Sequence, residues 1–196
     1  MVRSLRLFLF NTSLVIKSIL LENKKVVFFL LRFLLVFAGF SLLYASWVDS
    51  YGDKADPFSW WIGHQLVGLF GESVLSLENV AERPAVLVNY LGSPAVELFE
   101  GCNGVAVAIL FFAFVFAFKG RWSDLLWFVP AGLVVIHAFN LLRLSLLIHL
   151  SHNNSTLFHF LHKYLFTLII YAAVFLLWVL WVRLALNRNK HAQAQS

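Results

Sequence analysis

Long apolar runs separated by short polar segments dominate the chain, and their lengths match those of helices that cross a lipid bilayer. Three clear runs cover residues 26–47, 99–118 and 161–182. Each is close to the ~20 residues needed to cross the hydrocarbon core. A fourth run, residues 125–150, carries more polar residues but is still dominated by Leu, Val, Ile and Phe. The pattern predicts an all-α, polytopic bundle of about four transmembrane helices.

Three shorter segments predict elements that lie at the membrane surface. Residues 3–20 mix Arg, Lys and Ser with Leu and Phe at roughly helical spacing, which is typical of an interfacial helix. Residues 58–70 are rich in Trp but too short to span, and they predict an interfacial or re-entrant helix. Residues 84–99 combine β-branched residues with a Gly-Ser-Pro turn, which predicts a small outer hairpin.

The composition supports a membrane protein and excludes other classes. Of the 196 residues, 61% are hydrophobic and 13% are charged, and the mean hydropathy is +0.81. A soluble domain of this size cannot bury so much apolar surface, so lipid must be the solvent for much of it. The net charge of +5 is modest and mixed with Phe and Leu, which argues against a nucleic-acid partner. A single cysteine excludes an internal disulfide.

The distribution of charge predicts how the chain is oriented. The loop of residues 49–98 carries seven acidic residues and only two basic ones. Ten basic residues fall on the opposite side of a four-span bundle: Arg3, Arg6, Lys17, Lys24, Lys25, Lys119, Arg121, Arg183, Arg188 and Lys190. Because basic residues mark cytoplasmic loops, we expect a multi-pass protein of the cell inner membrane with cytoplasmic termini and the long loop outside.

In this topology, polar residues from three predicted spans meet near the outer leaflet. Cys102 lies at the outer end of the second span, while Asn140 and Arg143 lie in the outer half of the third. His159 and His162 stand at the outer start of the last span, and either could face the bundle. A thiol, a guanidinium and an imidazole are therefore predicted to lie close together.

The polar residues of the third span are spaced as one stripe. His137, Asn140 and Arg143 are successive i, i+3 positions, so they share one face of a helix. An ionisable residue within a span is costly and is functional by default. The alternative is that Arg143 is a structural partner of Glu97 or Glu100.

The lone cysteine also has two interpretations. A single cysteine in a membrane protein is commonly a small apolar filler. Here, however, glycines flank the Cys-Asn pair, and they allow a backbone or substrate to approach closely. Each of the two histidines could equally be an ordinary interfacial residue. One cysteine with scattered histidines is a poor zinc pattern, so neither a metal nor a cofactor is predicted.

Three motifs in order along the chain resemble the exosortase/archaeosortase family of polytopic membrane proteins. The family pattern is E-x-C-[SN]-G, then N-x-x-R on a following helix, then a downstream histidine or arginine. The similarity covers roughly residues 26–185, in the manner of a compact member. The matching residues are Glu100, Cys102, Asn103, Gly104, Asn140, Arg143 and His162, with His159 as the alternative histidine.

The resemblance implies a cysteine peptidase and transpeptidase acting on C-terminal sorting tails of exported proteins, which it transfers to an unknown surface acceptor, a lipid or a glycan. Cys102 as thiolate would attack the scissile carbonyl, helped to ionise by a nearby cation. His162 would carry protons and Arg143 would bind the oxyanion, with Asn140 orienting the arginine. An activated thiol is expected to react with a thiol reagent below pH 8.

The rival hypothesis is a non-enzymatic membrane assembly or transport subunit, in which Arg143 binds an anion or a lipid headgroup and Cys102 is dispensable. In either case the chain divides into an interfacial segment at residues 1–25, a transmembrane domain at 26–185 and a cytoplasmic tail at 186–196.

Overall fold

The computed structural model describes residues 23–81, 83–118, 120–153 and 166–194. The described part of the chain is mostly helical and also contains a three-stranded antiparallel sheet. The predicted helix at residues 3–20, the start of the last apolar run, His159 and His162 all lie outside the described residues. The elements are α1 (Lys24–Asp49), α2 (Pro57–Phe70), β1 (Leu75–Asn79), β2 (Val86–Tyr90), β3 (Ser93–Leu98), α3 (Val105–Ala117), α4 (Trp122–Asn153) and α5 (Phe166–Ala194).

Three helices, α1, α4 and α5, are long and apolar enough to cross a membrane. They correspond to the apolar runs at residues 26–47, 125–150 and 161–182. None of the most apolar window of α1 is buried within the protein. Because such a surface is stable only in an apolar solvent, the chain is a helical membrane-associated protein. Helix α5 continues to Ala194, so the predicted boundary at residue 185 falls inside a helix.

The apolar run at residues 99–118 does not form the full-length helix that was predicted from it. Helix α3 begins only at Val105 and has 13 residues, which corresponds to a rise of about 20 Å. Gly104 adopts the left-handed conformation, with φ of 84°, and this ends any helix that would enter from the preceding residues. Residues 99–104 instead form a turn, and the count of four spans stays a prediction.

The predicted hairpin is confirmed, but the sheet is larger than a hairpin. Strands β2 and β3 pair in antiparallel register, with Val86 opposite Leu98. Strand β1 adds to the other edge of β2, with Leu77 opposite Val88. The all-α prediction was therefore wrong for this segment. The strand was missed because β1, of sequence Leu-Ser-Leu-Glu-Asn, is only five residues long and a short alternating pattern is a weak signal.

Two buried clusters hold these elements together. One lies between the sheet, α2 and the second half of α4, and it contains Ile62, Val86, Leu144 and Cys102. The other is aromatic and lies between α3, α4 and α5, where Phe128 and Trp181 approach with ring centroids 5.0 Å apart. The cysteine therefore lies where the sheet is packed on the helices.

The orientation in the membrane gives the first testable prediction. We expect reporter fusions after residues 120 and 190 to be cytoplasmic and a fusion near residue 80 to be external, because the basic residues favour the cytoplasmic side. Paired phosphatase and fluorescent-protein fusions measure this. An external C-terminus would contradict the orientation and would separate the last span's histidines from Cys102.

Candidate functional site

A tight turn between the sheet and α3 presents the cysteine. Strand β3 ends at Leu98, and the backbone N–H of Cys102 donates to the carbonyl oxygen of Phe99 at 2.8 Å. The next residue, Asn103, accepts a hydrogen bond from the N–H of Val105 at 3.0 Å through its side chain. This bond satisfies one of the free N–H groups at the start of α3. The turn is thus fixed on both sides of the thiol.

Asn140 of α4 fixes the backbone of this turn. Its side-chain Nδ2 donates to the carbonyl oxygen of Cys102 at 3.1 Å, and the residue is fully buried. Gly104 allows the approach, since a Cβ at that position would lie 3.2 Å from the Cγ of Asn140. The glycine is therefore required both by its positive φ and by its close contact with the asparagine.

Arg143 lies one helical turn after Asn140 in α4, close to the sulfur of Cys102. The positive charge of its guanidinium lowers the pKa of the Cys102 thiol, so the two groups lie close together. Its Nε is buried and has no partner among the described residues. Arg143 is not a partner of Glu97, because both oxygens of that carboxylate bind Arg83 at 3.1 Å. Two residues of α4 spaced i, i+3 therefore act on Cys102: Asn140 bonds to its backbone, and Arg143 lowers the pKa of its thiol.

The electrostatics of the thiol differ from the expected activated cysteine. Burial raises the pKa of Cys102 above its ordinary value, while the Arg143 guanidinium opposes this rise and the Glu100 carboxylate adds to it. The residue is only 3% exposed. Since burial outweighs the arginine, the resting thiol is protonated near neutral pH. Reaction with a thiol reagent below pH 8 is therefore not expected of this closed state, and attack requires a base to accept the proton.

The structure brings most of the predicted site residues together. Cys102, Asn103 and Gly104 form the turn, and Asn140 and Arg143 bind it from α4. Glu100 also lies in the turn, with its side chain exposed. Of the predicted residues, His159 and His162 lie outside the described part of the chain.

Sequence reasoning missed the contact that ties α1 to the site. Asn103 donates from its Nδ2 to the hydroxyl of Tyr44 at 2.6 Å. Nothing in the sequence distinguished Tyr44 from an ordinary aromatic residue at a membrane interface. His137 had been placed on the polar stripe but without a role. Its Nε2 lies 2.7 Å from the Oε1 of Gln65, and its ring stacks on Trp61, so it joins α4 to α2.

Replacing Gly104 by alanine should destabilise the protein. The left-handed conformation costs a non-glycine residue about 1–2 kcal/mol, and the added Cβ would press on Asn140. We expect a lower thermal unfolding midpoint in detergent. Gly39→Ala is the matched control, because nothing lies within 4 Å of a Cβ built at Gly39. Equal midpoints for the two variants would contradict the geometry of the turn.

Replacing Arg143 by glutamine should raise the pKa of Cys102 further, because the cation that lowers it is removed. The thiolate is the reactive form, so the pH of half-maximal labelling should move upward. The measurement is the rate of labelling by a small, membrane-permeant methanethiosulfonate across a pH series. Arg121→Gln, at an exposed position before α4, is the control. An unchanged midpoint in Arg143→Gln would show that the arginine does not act on the sulfur.

The described part of the chain contains no group of three His, Cys, Asp or Glu side chains that could hold a metal ion. Comparison with models of protein families, with curated proteins and with solved structures finds no match to this chain.

Proposed function

We propose that the chain is a membrane-embedded cysteine peptidase and transpeptidase that cleaves C-terminal sorting signals of exported proteins and transfers the products to a surface acceptor. The observation that carries the proposal is the turn that presents Cys102, which Asn140 bonds from α4 while the nearby Arg143 guanidinium lowers the pKa of the thiol. An ionisable side chain within a membrane-spanning helix is costly and is functional by default, and a cation beside a thiol can stabilise charge that develops there. The resemblance of the three sequence motifs supplies the substrate class.

Each residue has a defined step in this mechanism. The Cys102 sulfur attacks the scissile carbonyl carbon, and its proton passes to a histidine, His162 or His159. Arg143 binds the oxyanion of the tetrahedral intermediate. The C–N bond then breaks, and the amine leaves with the proton from the histidine, so that a thioester remains. An acceptor hydroxyl or amine, deprotonated by the same histidine, attacks the thioester and restores the thiol.

The geometry around the thiol supports the positioning that this mechanism requires. Asn140 holds the Cys102 carbonyl while Arg143, on the same face of α4, reaches the sulfur. A single rigid helix therefore sets the distance between nucleophile and oxyanion donor, and such preorganisation accounts for much of the power of enzymes. In this arrangement Asn140 positions the nucleophile, and not the arginine as the sequence had led us to expect, because its Nδ2 bonds to the Cys102 carbonyl and its Oδ1 has no partner among the described residues.

One observation favours the rival function, a non-enzymatic assembly or transport subunit. Cys102 is buried with a raised pKa, and the Nε of Arg143 has no hydrogen-bond partner among the described residues. A filler cysteine beside an anion-binding arginine would have both features. Trapping of the covalent intermediate separates the two functions.

The test is to capture the thioester. The chain is co-produced with a reporter whose C-terminus carries a short motif, an apolar helix and basic residues, and membranes are treated with neutral hydroxylamine. Cleavage through a thioester gives a reporter that ends in a hydroxamate, detectable by mass spectrometry, and the Cys102→Ala variant gives none. An intact reporter for a panel of such tails, together with unaltered membrane assembly in Cys102→Ala, would favour the non-enzymatic function.

A further inference from the structure

A cavity of about 470 Å³ lies beside the cysteine turn, between α1, α2, the start of α3 and the middle of α4. Its size falls within the range of about 300–1,000 Å³ that is usual for small-molecule sites. Asn103 and Gly104 line it, but Cys102 and Arg143 do not. It is therefore a separate space that adjoins the proposed site.

The lining changes from apolar at the outside to polar at the inner end. At the outside the walls are exposed apolar side chains, including Val134 at 67% and Trp61 at 46% exposure. At the inner end stand Asn103, 3% exposed, and Asn140, fully buried. Two walls, α1 and α4, belong to helices that are long and apolar enough to cross a membrane. The exposed side of the cavity therefore faces lipid rather than water.

The inner end presents an unused hydrogen-bond acceptor. The Oδ1 of Asn140 is buried and has no partner among the described residues, although the Nδ2 of the same side chain is bonded to Cys102. A buried polar atom without a partner destabilises the protein, and a ligand with an N–H or O–H would remove this cost. The hydroxyl of Tyr44 accepts from Asn103, so its own hydrogen remains to be donated. A ligand hydroxyl can serve both groups.

Among the described residues that line the cavity there is no Asp, Glu, Lys or Arg, and the Nε2 of the lining histidine, His137, already lies 2.7 Å from the Oε1 of Gln65. A phosphate or a carboxylate drawn into it would lose its water without gaining a cation, which is strongly unfavourable. An ammonium group would likewise find no carboxylate. The polar group of a ligand in this cavity is therefore neutral, and the aromatic walls favour an alkyl chain attached to that group.

From these features we propose that the cavity binds a neutral amphiphile with one long alkyl chain, whose hydroxyl bonds to Asn140 and Tyr44 at the inner end and whose chain lies against the aromatic walls. The proposal depends on the cavity and on the unpaired oxygen, and it holds whether or not Cys102 is a nucleophile. Asn140 then has two roles, because its Nδ2 donates to the cysteine turn and its Oδ1 accepts from the ligand hydroxyl.

The test uses hexadecanol with a diazirine in the chain and a terminal alkyne, added to the full-length protein in nanodiscs. We expect cross-links to concentrate on peptides around Tyr44, Trp61 and Leu133, and excess plain hexadecanol to displace them. The methyl ether of the same probe should label about fivefold less, because it cannot donate to Asn140 and a hydrogen bond is worth about 1 kcal/mol.

A variant pair provides a second measurement. Ala108 lines the cavity, so Ala108→Phe should fill it and reduce cross-linking by about tenfold. Ala106→Phe, at an exposed position of the same helix outside the lining, should leave it unchanged. Labelling spread evenly along the apolar faces of α1 and α5, equal labelling by the alcohol and the ether, or displacement only by an apolar helical peptide would each overturn the proposal.

Discussion

Cys102→Ala is expected to abolish cleavage of a sorting-tail reporter while the protein remains folded and inserted. Loss of the nucleophile removes the covalent route altogether, so the rate should fall by about 10³-fold or more, to below detection. The change removes one sulfur atom from the cluster that also contains Leu144 and Val86. A deletion of that size costs about 1 kcal/mol in a buried site. The measurement is reporter cleavage at matched membrane abundance.

A packing control distinguishes chemistry from stability. Val96→Ala shortens another buried side chain of the same cluster and should cost at least as much stability as Cys102→Ala. If Val96→Ala cleaves the reporter and Cys102→Ala does not, the effect belongs to the thiol. Cleavage by Cys102→Ala at the wild-type rate would exclude cysteine catalysis.

Serine is a less informative replacement for Cys102 than alanine. A hydroxyl is far less ionised than a thiol near neutral pH, so Cys102→Ser should also fail to cleave. At a site that is 3% exposed and bordered by apolar side chains, however, the hydroxyl carries a desolvation cost of about 1–3 kcal/mol. Loss of activity in this variant therefore combines chemistry with packing.

The elements that could be predicted are those whose signal is local. The apolar runs located α1 and α4 to within a few residues, and the Trp-rich segment located α2, because in each case the signal lies in the composition of the segment itself. The start of α3 could not be predicted, since it depends on the positive φ at Gly104. The close approach of Asn140 is a second reason why this position requires a glycine. An apolar run alone does not show which backbone conformation a glycine adopts.

The same distinction applies to the site. The spacing of Asn140 and Arg143 placed them on one face of a helix, and both contact the cysteine turn from that face. The burial of Cys102 was not predicted, because it depends on the sheet that packs over it. That sheet includes β1, which was missed. The resulting rise in the pKa of Cys102 is a property of the tertiary packing and not of the motif.

That raised pKa makes the identity of the base decisive. Because the pKa of Cys102 is raised even with Arg143 nearby, the proposed mechanism requires the proton to leave at the moment of attack. The packing of α4 against α5 indicates which part of α5 lies nearest to Arg143. The rings of Phe128 in α4 and Trp181 in α5 are in contact. Arg143 follows Phe128 by fifteen residues in α4, and Phe166 precedes Trp181 by the same number in α5. Because the two helices run antiparallel, the first turn of α5 lies level with Arg143.

His162→Ala is therefore expected to remove activity, whereas His159→Ala should weaken it modestly. His162 is four residues before Phe166 along the chain and His159 is seven, so His162 is the nearer of the two in sequence to the first turn of α5. Loss of a general base at a protonated thiol should reduce cleavage by about 10²–10⁴-fold. Reporter cleavage by both variants at matched abundance measures this.

The two variants control for each other, since both remove an imidazole from the same segment. Full activity in His162→Ala with loss in His159→Ala would reverse the assignment but keep the mechanism. Full activity in both would leave a buried, protonated thiol without either of the two candidate imidazoles to accept its proton. The contact between Arg143 and Cys102 would then be better explained by an arginine that binds an anion or a lipid headgroup, with the cysteine as its apolar neighbour.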